Sequence, residues 1–464
     1  MSSALSPNTW PFSLEWLPTS ACLVGGTVRD ALLGRQGDYL DLDFVLPEGA
    51  IETAEAIARH YKAGYVLLDA ERQIARVVFN QGTADFAQQI GGSLVTDLER
   101  RDFTVNAIAY NPHTDQIIDP LQGYADLQKR VLRMVSAANL EEDPLRLLRA
   151  FRQAAQLNFN IEDTTRQAIR YLAPQLSRIA SERVQSELNY LLSTAKGTLW
   201  LENAWEDGLL QDWLPNVDPS RLEVIGAVDR LYCWFQETLP SFAEVLSSRI
   251  RGIPRAVRVT PPGAMGFSPR CQEPVELKSA AISRTWLSTT KLVSLLSIDP
   301  DLAEAQLRRL KYSRTDIQAV GIILKALPEL TAKSGINAEV GAASSRLEPG
   351  LSLRWQYTFF QTVGATFPAV ALLAIASGVA QEEVMPLIRR FLDPTDPVAH
   401  PQALLTGQDL MIALDLLPGP HIGQLLAAIQ LARAEGKVET TEMAVALAQE
   451  MVASGEVMIQ NRGK

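Results

Sequence analysis

The 464-residue sequence predicts an α/β domain at its amino end followed by a long, almost strand-free helical remainder. Two patterns carry that expectation. Over residues 1–135, short runs rich in β-branched and aromatic residues (GYVLLDA, ARVVFN, TADFA) alternate with helical periodicity. From Glu141 onward the periodicity is helical throughout. The length also exceeds what one core holds, so several domains are expected. Pro/Gly-rich breaks at 260–274, 333–350 and 392–401 divide the helical part.

Taken in order, Leu23-Val24 reads as a strand, VRDALLG as a helix, and the stretch holding Asp41 and Asp43 as a second strand. An amphipathic helix follows at 51–63, then the three short strands, and then NAIAYNP and DQIIDPL as two strands joined by a turn. Asp143-Pro144 is a helix start, with Asp143 as N-cap and Pro144 at the first helical position. No internal repeat or low-complexity segment interrupts this order.

Apolar residues make up 47% of the chain, the proportion of a soluble globular protein. The start, MSSALSPNTWPFSLEW, lacks the basic region and apolar core of a signal peptide. The longest apolar stretch, at 367–380, is too short to span a bilayer, so no membrane partner is expected. Cys22, Cys233 and Cys271 are few and far apart, which fits a reducing cytoplasm. The four histidines have no metal-ligand spacing, which argues against zinc. A net charge of −10 argues against a general nucleic-acid coat protein, but not against an enzyme gripping one RNA through a local basic surface. Such surfaces exist at RLLRAFR (146–152) and LRRLKYSR (307–314); the second also reads as a solvated helix face.

The chemistry concentrates between Leu23 and Asp43, where a Gly pair, Arg29-Asp30 and Asp-x-Asp follow one another. Gly25 and Gly26 lack a Cβ, so backbone N–H groups can approach a triphosphate at the amino end of the next helix. Asp41 and Asp43 share one face of a strand, and two hard oxygen ligands there suit Mg²⁺ together with substrate phosphates. The order of parts points to nucleotidyl transfer.

Two further clusters follow. In LERRDFTVNAIAY (98–110), Arg101 is placed to reach a triphosphate or ribose, with Asn106 bracing the loop through backbone hydrogen bonds. A charged loop before a buried strand accounts for the same residues. In EDPLRLLRAFRQAAQLNF (142–159), Arg146, Arg149 and Arg152 recur every three residues, and their mutual repulsion calls for an anionic partner such as a triphosphate or an RNA backbone. Asp143 and Arg146 also form a base-reading pair. The carboxylate accepts from an exocyclic amine and the guanidinium donates to the neighbouring ring nitrogen, which admits C and A and rejects U and G.

These clusters, in this order, resemble the class II (bacterial-type) CCA tRNA nucleotidyltransferases and the related bacterial poly(A) polymerases. The resemblance covers residues 20–195 closely, and LLTGQDL…PGPHIGQLL (404–426) resembles the tail of many members. It implies a nucleotidyltransferase head with a polymerase-beta-like mixed sheet, then an all-α neck, body and tail. The corresponding domains are 1–135 (catalytic head), 136–195 (neck, base recognition), 196–330 (body) and 331–464 (tail, tRNA binding). It further implies CTP and ATP as substrates, the tRNA 3′ end as acceptor, and two Mg²⁺ ions. By motif, Asp41 and Asp43 are the metal ligands and catalytic residues; Gly26 and Arg29 contact the nucleotide's phosphates; Gly25, Asp30 and Arg101 lie in the nucleotide site; Asp143 and Arg146 read its base, with Arg149 and Arg152 nearby. SRIASERVQSELNYLL (177–192) matches the neck helix. Asp85 is a candidate third carboxylate or a plain strand-end Asp, and Asp38 is a loop residue.

One departure bears on the product. Members that add the full CCA carry a long flexible loop before the RRDF motif, whereas here ADFAQQIGGSLVTDLERRDF leaves only a short connection. Within the resemblance, that shortening accompanies enzymes that add CC and stop, because switching a fixed template from C to the larger A needs a movable element. A poly(A) polymerase on the same scaffold and a non-catalytic tRNA-binding protein are the rival expectations.

Overall fold

The computed structural model describes residues 5–35, 39–194, 196–250, 284–333 and 351–454. Asp38, Cys271 and the breaks at 260–274 and 334–350 lie outside these residues. The chain forms two compact units that meet in sequence at Pro215/Asn216.

The first unit opens with β1 (Cys22–Val24), α1 (Gly26–Leu32), β2 (Leu40–Leu46), α2 (Ala50–Tyr61), β3 (Gly64–Asp69), β4 (Ile74–Phe79) and β5 (Gly82–Gln88). It continues through α3 (Leu94–Glu99), β6 (Ala109–Asn111), β7 (Gln116–Ile118), α4 (Gly123–Lys129) and β8 (Val131–Leu132). Strands β1–β7 make one mixed sheet in the order β3-β4-β5-β2-β1-β6-β7. Among the described residues of this sheet, only β2 and β5 run parallel, with Asp41 opposite Thr83 and Asp43 opposite Asp85. Strand alternation then sorts the side chains. Leu42, Phe44, Leu46, Ala84 and Phe86 turn to one face and are wholly buried. There Phe44 and Phe86 stack at 5.4 Å, joined by Trp10 and Phe12. Asp41, Asp43, Thr83 and Asp85 are left on the other face.

Helices dominate the rest of the first unit: α5 (Ala137–Glu142), α6 (Leu145–Leu157), the two-residue β9 (Asn160–Ile161), α7 (Asp163–Leu172), α8 (Ser181–Ser193) and α9 (Gly197–Glu206). Sequence periodicity missed β9, which pairs with β8 through only two residues. The NAIAYNP strand starts later than expected, because Thr104–Asn106 forms a 3₁₀ turn and β6 begins at Ala109. Asp143 is displaced by one position: it ends α5, and Pro144 caps α6. The Asp143 carboxylate still accepts the Leu145 N–H at 3.3 Å, so the capping chemistry is retained.

The second unit is helical: α10 (Pro219–Thr238), α11 (Pro240–Ser247), α12 (Trp286–Leu295), α13 (Pro300–Arg309), α14 (Arg314–Lys333), α15 (Leu353–Val363), α16 (Phe367–Ala376), α17 (Gln381–Leu392), α18 (Gly407–Leu414), α19 (Pro420–Ala434) and α20 (Thr441–Ala453). Residues Phe367–Ala374 of α16 are all buried, so this helix is the unit's core. The run 353–376 is long and apolar enough to cross a membrane by length and composition alone, yet 67% of its most apolar window is buried within the protein. In the TGQD stretch, Thr406 and Asp409 form a reciprocal capping box that starts α18.

Gly82 shows how tightly β2 and β5 meet. A Cβ there would lie 2.6 Å from the Leu40 carbonyl oxygen and 2.9 Å from its Cβ. Gly82→Ala is therefore expected to push the parallel strands apart and destabilise the first unit by about 2–3 kcal/mol. Denaturant unfolding against wild type measures this; an unchanged midpoint would show that the ladder gives way freely.

Candidate active site

The carboxylates sit on the open face of β2 and β5. Thr83 Oγ1 donates to Asp41 Oδ1 at 2.5 Å, and Thr27 Oγ1 donates to the Asp41 carbonyl. Asp43 is half-buried, and its pKa is pushed up to about 7 by burial, then by repulsion from Asp41 and Asp85, against the opposing pull of Arg101 and Arg76. Asp85, opposite Asp43, is held by Arg76 on β4 through two bonds of 2.6 and 2.7 Å. Among the described residues, no three His, Cys, Asp or Glu side chains converge as a metal cage.

Gly25 forms the rim, with φ +75°, a backbone state that side chains rarely adopt. A Cβ there would stand 3.3 Å from Arg101 Nη1 and 3.5 Å from Asp43 Oδ2, so glycine keeps the space between the arginine and the carboxylate open. Gly26 begins α1. Arg101 is anchored by Asp97 (3.3 Å), and its buried Nε–H meets no acceptor among the described residues.

Arg29 is held by neighbours within the chain. Its guanidinium is fixed by both oxygens of Asp30 (2.9 Å each) and donates to Asn106 Oδ1 at 2.7 Å. Asp30 thus orients Arg29. Asn106 braces the loop through both its backbone and its side chain: its N–H donates to the Phe103 carbonyl (2.9 Å), and its side-chain amide donates to Asp102 Oδ1 (2.8 Å) and Gln153 Oε1 (2.9 Å). Asp102 is buried and also accepts the Phe103 N–H at 2.9 Å and two bonds from Arg149, at 3.1 and 2.8 Å. Burial alone would raise its pKa; the attraction of Arg149 and the bonds from Asn106, Arg149 and Phe103 lower it to about 2.

The arginine row on α6 also meets groups of the chain itself. Arg149 pairs with Asp102, and Arg152 with Glu187 on α8. At these two positions Asp102 and Glu187 supply an anion from within the chain. Arg146 instead donates through Nη1 to the carbonyls of Arg100 (2.9 Å) and Asn139 (3.0 Å). Asp143 is gripped by Arg183 on α8, at 3.1 and 2.8 Å, which lowers its pKa against the raising effect of burial.

Sequence reasoning singled out neither Arg76, Thr83 and Asp97 nor Gln153, Arg183 and Glu187. Arg183 and Glu187 carry a usable signal, lying four apart on one helix in the 177–192 stretch. Arg76 carries none, because a cation alternating within ARVVFN reads as a solvated strand position. Asp102→Asn removes the charge partner of a buried arginine and should cost about 3 kcal/mol near pH 7. Because the folded pKa is depressed, the stabilisation is present above pH 4 and is lost as pH falls from about 4 toward 2. Denaturant melts of both proteins from pH 7 to pH 3 check this, and a difference that grows on acidification would refute the assignment.

Three family models match the chain: the poly A polymerase head domain over residues 21–133, the probable RNA and SrmB-binding site of polymerase A over 158–220, and the putative tRNA nucleotidyltransferase domain 2 over 282–448. A CC-adding tRNA nucleotidyltransferase of Synechocystis sp. is 44% identical across 95% of this chain and 96% of its own. An A-adding tRNA nucleotidyltransferase of Deinococcus radiodurans is 33% identical across 93% and 95%. A solved CCA-adding enzyme in complex with CTP shares the fold, with a TM-score of 0.67 and 21% identity over 94% of this chain and 91% of that one. Identity of that order along nearly the whole of both sequences leaves one conclusion: the chain belongs to the tRNA nucleotidyltransferase and poly(A) polymerase family and is an enzyme of the nucleotidyltransferase class.

Proposed function

We propose that this enzyme adds two cytidylates to the 3′ end of tRNA from CTP, without a nucleic-acid template, and then stops. It acts in the bacterial cytoplasm. The observation that carries the product is the connection between β5 and α3. It comprises only residues 89–93, and it is tied down. Asp97 Oδ1 accepts the Ile90 N–H at 3.1 Å, and Ser93 caps α3 by accepting the Thr96 N–H at 3.2 Å. Such a segment supplies no movable element to refit the pocket from C to A. The 44% identity to a CC-adding relative along nearly the whole of both chains supports the same reading.

Asp41 and Asp43 suit a divalent cation. They offer two hard oxygen ligands on one face, and Asp43 carries a repulsion that a cation would relieve. Mg²⁺ bound there, in the two-metal manner, would lower the pKa of the attacking hydroxyl and neutralise the departing pyrophosphate. The tRNA 3′-hydroxyl oxygen bonds to the α-phosphorus of CTP, the bond to the β-phosphate breaks, pyrophosphate leaves and the hydroxyl proton passes to solvent. Gly25 leaves room for the phosphates, and Arg101 faces them with its fixed charge. Asp143 accepts from the cytosine amine; with about four lone-pair sites, the carboxylate serves the base as well as Arg183. Arg146 spends one nitrogen on the Arg100 and Asn139 carbonyls and keeps its remaining donors for the ring nitrogen.

With tRNA ending at the discriminator base and one nucleotide at a time, CTP should give two additions and ATP none; long A tails would establish the poly(A) polymerase alternative, and no incorporation a non-catalytic RNA binder. Asp41→Ala and Asp43→Ala should each lower kcat at least a hundredfold, and near-native incorporation by either would overturn the ligand assignment. Since protons and cations compete for Asp43, the Mg²⁺ concentration giving half-maximal rate should rise as pH falls below about 7, by up to about tenfold per unit. A requirement independent of pH between 8 and 6 would contradict this.

A further inference from the structure

Across Gly25, Arg101 and Asp43 stand close together without pairing. The point where a Gly25 Cβ would sit is 3.3 Å from Arg101 Nη1 and 3.5 Å from Asp43 Oδ2. The two groups are opposite in charge, and each has spare capacity. Among the described residues, the buried Nε–H of Arg101 meets no acceptor and the Asp43 carboxylate accepts no hydrogen bond. An unsatisfied buried donor is costly, so Arg101 has reason to turn toward Asp43. It is held by Asp97 instead. This carboxylate is buried, lies four residues before Arg101, and has both oxygens engaged. Its Oδ1 accepts the Ile90 N–H at 3.1 Å and its Oδ2 accepts Arg101 Nη2 at 3.3 Å. The first bond roots Asp97 in the connection after β5, so Asp97 cannot follow the arginine across the site. The second is long for a charged pair and leaves the remaining guanidinium donors unengaged.

We infer that Asp97 is a positioning residue that tethers Arg101 short of Asp43, so that the carboxylate stays open to a cation and the guanidinium to the incoming nucleotide. The inference rests on Asp43 being a cation ligand. Without the tether, Arg101 closes on Asp43 and takes the place of the cation, which makes the arginine an internal competitor of the metal. The same carboxylate makes the connection after β5 and Arg101 a single unit, because one side chain holds both.

The test measures binding of Mn²⁺ alone, without nucleotide, to the full-length protein at pH 8, following free Mn²⁺ by electron paramagnetic resonance. Asp97→Asn keeps an oxygen for the Ile90 N–H and removes the charge that holds Arg101. It should weaken Mn²⁺ binding by about threefold or more, because the released guanidinium competes for Asp43. Removing the competitor should undo the loss, so Asp97→Asn/Arg101→Met should bind Mn²⁺ at least as tightly as wild type. Arg101→Met alone should stay within about threefold of wild type, since a tethered arginine blocks little. Unchanged or tighter binding by Asp97→Asn would overturn the inference, as would a loss that Arg101→Met does not restore. Circular dichroism melts monitor folding. If Asp97→Asn does not fold, Arg101→Met by itself decides, because tightening of about tenfold would mean that Arg101 already pairs with Asp43. Asp41→Asn/Asp43→Asn should abolish Mn²⁺ binding; binding that survived it would sink the underlying metal-site reading, a result distinct from failure of Asp97→Asn to weaken.

Discussion

The buried carboxylate of Asp102 is the constraint around which the first unit is organised. It receives a backbone N–H from Phe103, the side-chain amide of Asn106 and the fork of Arg149. Through Asn106 the same network fixes Arg29, and through Arg149 it reaches Glu187 and Arg152. A charge out of water is tolerated only with this many partners, two from the RRDF turn itself and one from α6. The network therefore joins the Gly-Gly helix, the RRDF turn, α6 and α8 into one register. The rim beside the sheet and the arginine row on α6 are thereby held at fixed separation.

A second constraint is the strand alternation on β2 and β5. The pleat that buries Phe44 and Phe86 against the amino-terminal aromatics leaves Asp41, Asp43 and Asp85 together on the opposite face. Core packing and the acidity of the site are thus two sides of the same strands. A one-residue slip would bury the carboxylates and expose the aromatics, which makes the register hard to lose. The repulsion stored at Asp43 is the cost of collecting three carboxylates there, and the two arginines beside them keep that cost finite.

The arginines show how one residue type is divided among tasks. Arg149 and Arg152 are consumed by internal carboxylates, Arg29 by Asp30 and Asn106, Arg76 by Asp85 and Arg183 by Asp143. Arg101 and Arg146 keep unused donors beside the open face and α6. An acidic chain can handle a polyanionic substrate this way, because a few positioned cations matter more than net charge.

The sequence by itself determined the elements and the chemistry. The alternation that places Asp41 beside Asp43, the Gly pair and the helical periodicity after Glu141 are local, and local pattern is what propensity and periodicity report. The short connection before Arg101 was equally legible, since a length needs no folding to be counted. The tertiary structure alone decided which charges meet. Arg146, Arg149 and Arg152 look alike in sequence, yet two are neutralised within the fold and one is held by backbone carbonyls, because Asp102 and Glu187 come from segments 47 and 35 residues away. Arg76 was invisible for the same reason, and the spacing of Arg183 and Glu187 marked a helix face without naming what either one pairs with. Their partners are set by helix packing and cross-strand register, and ion pairing across the chain leaves no periodic trace.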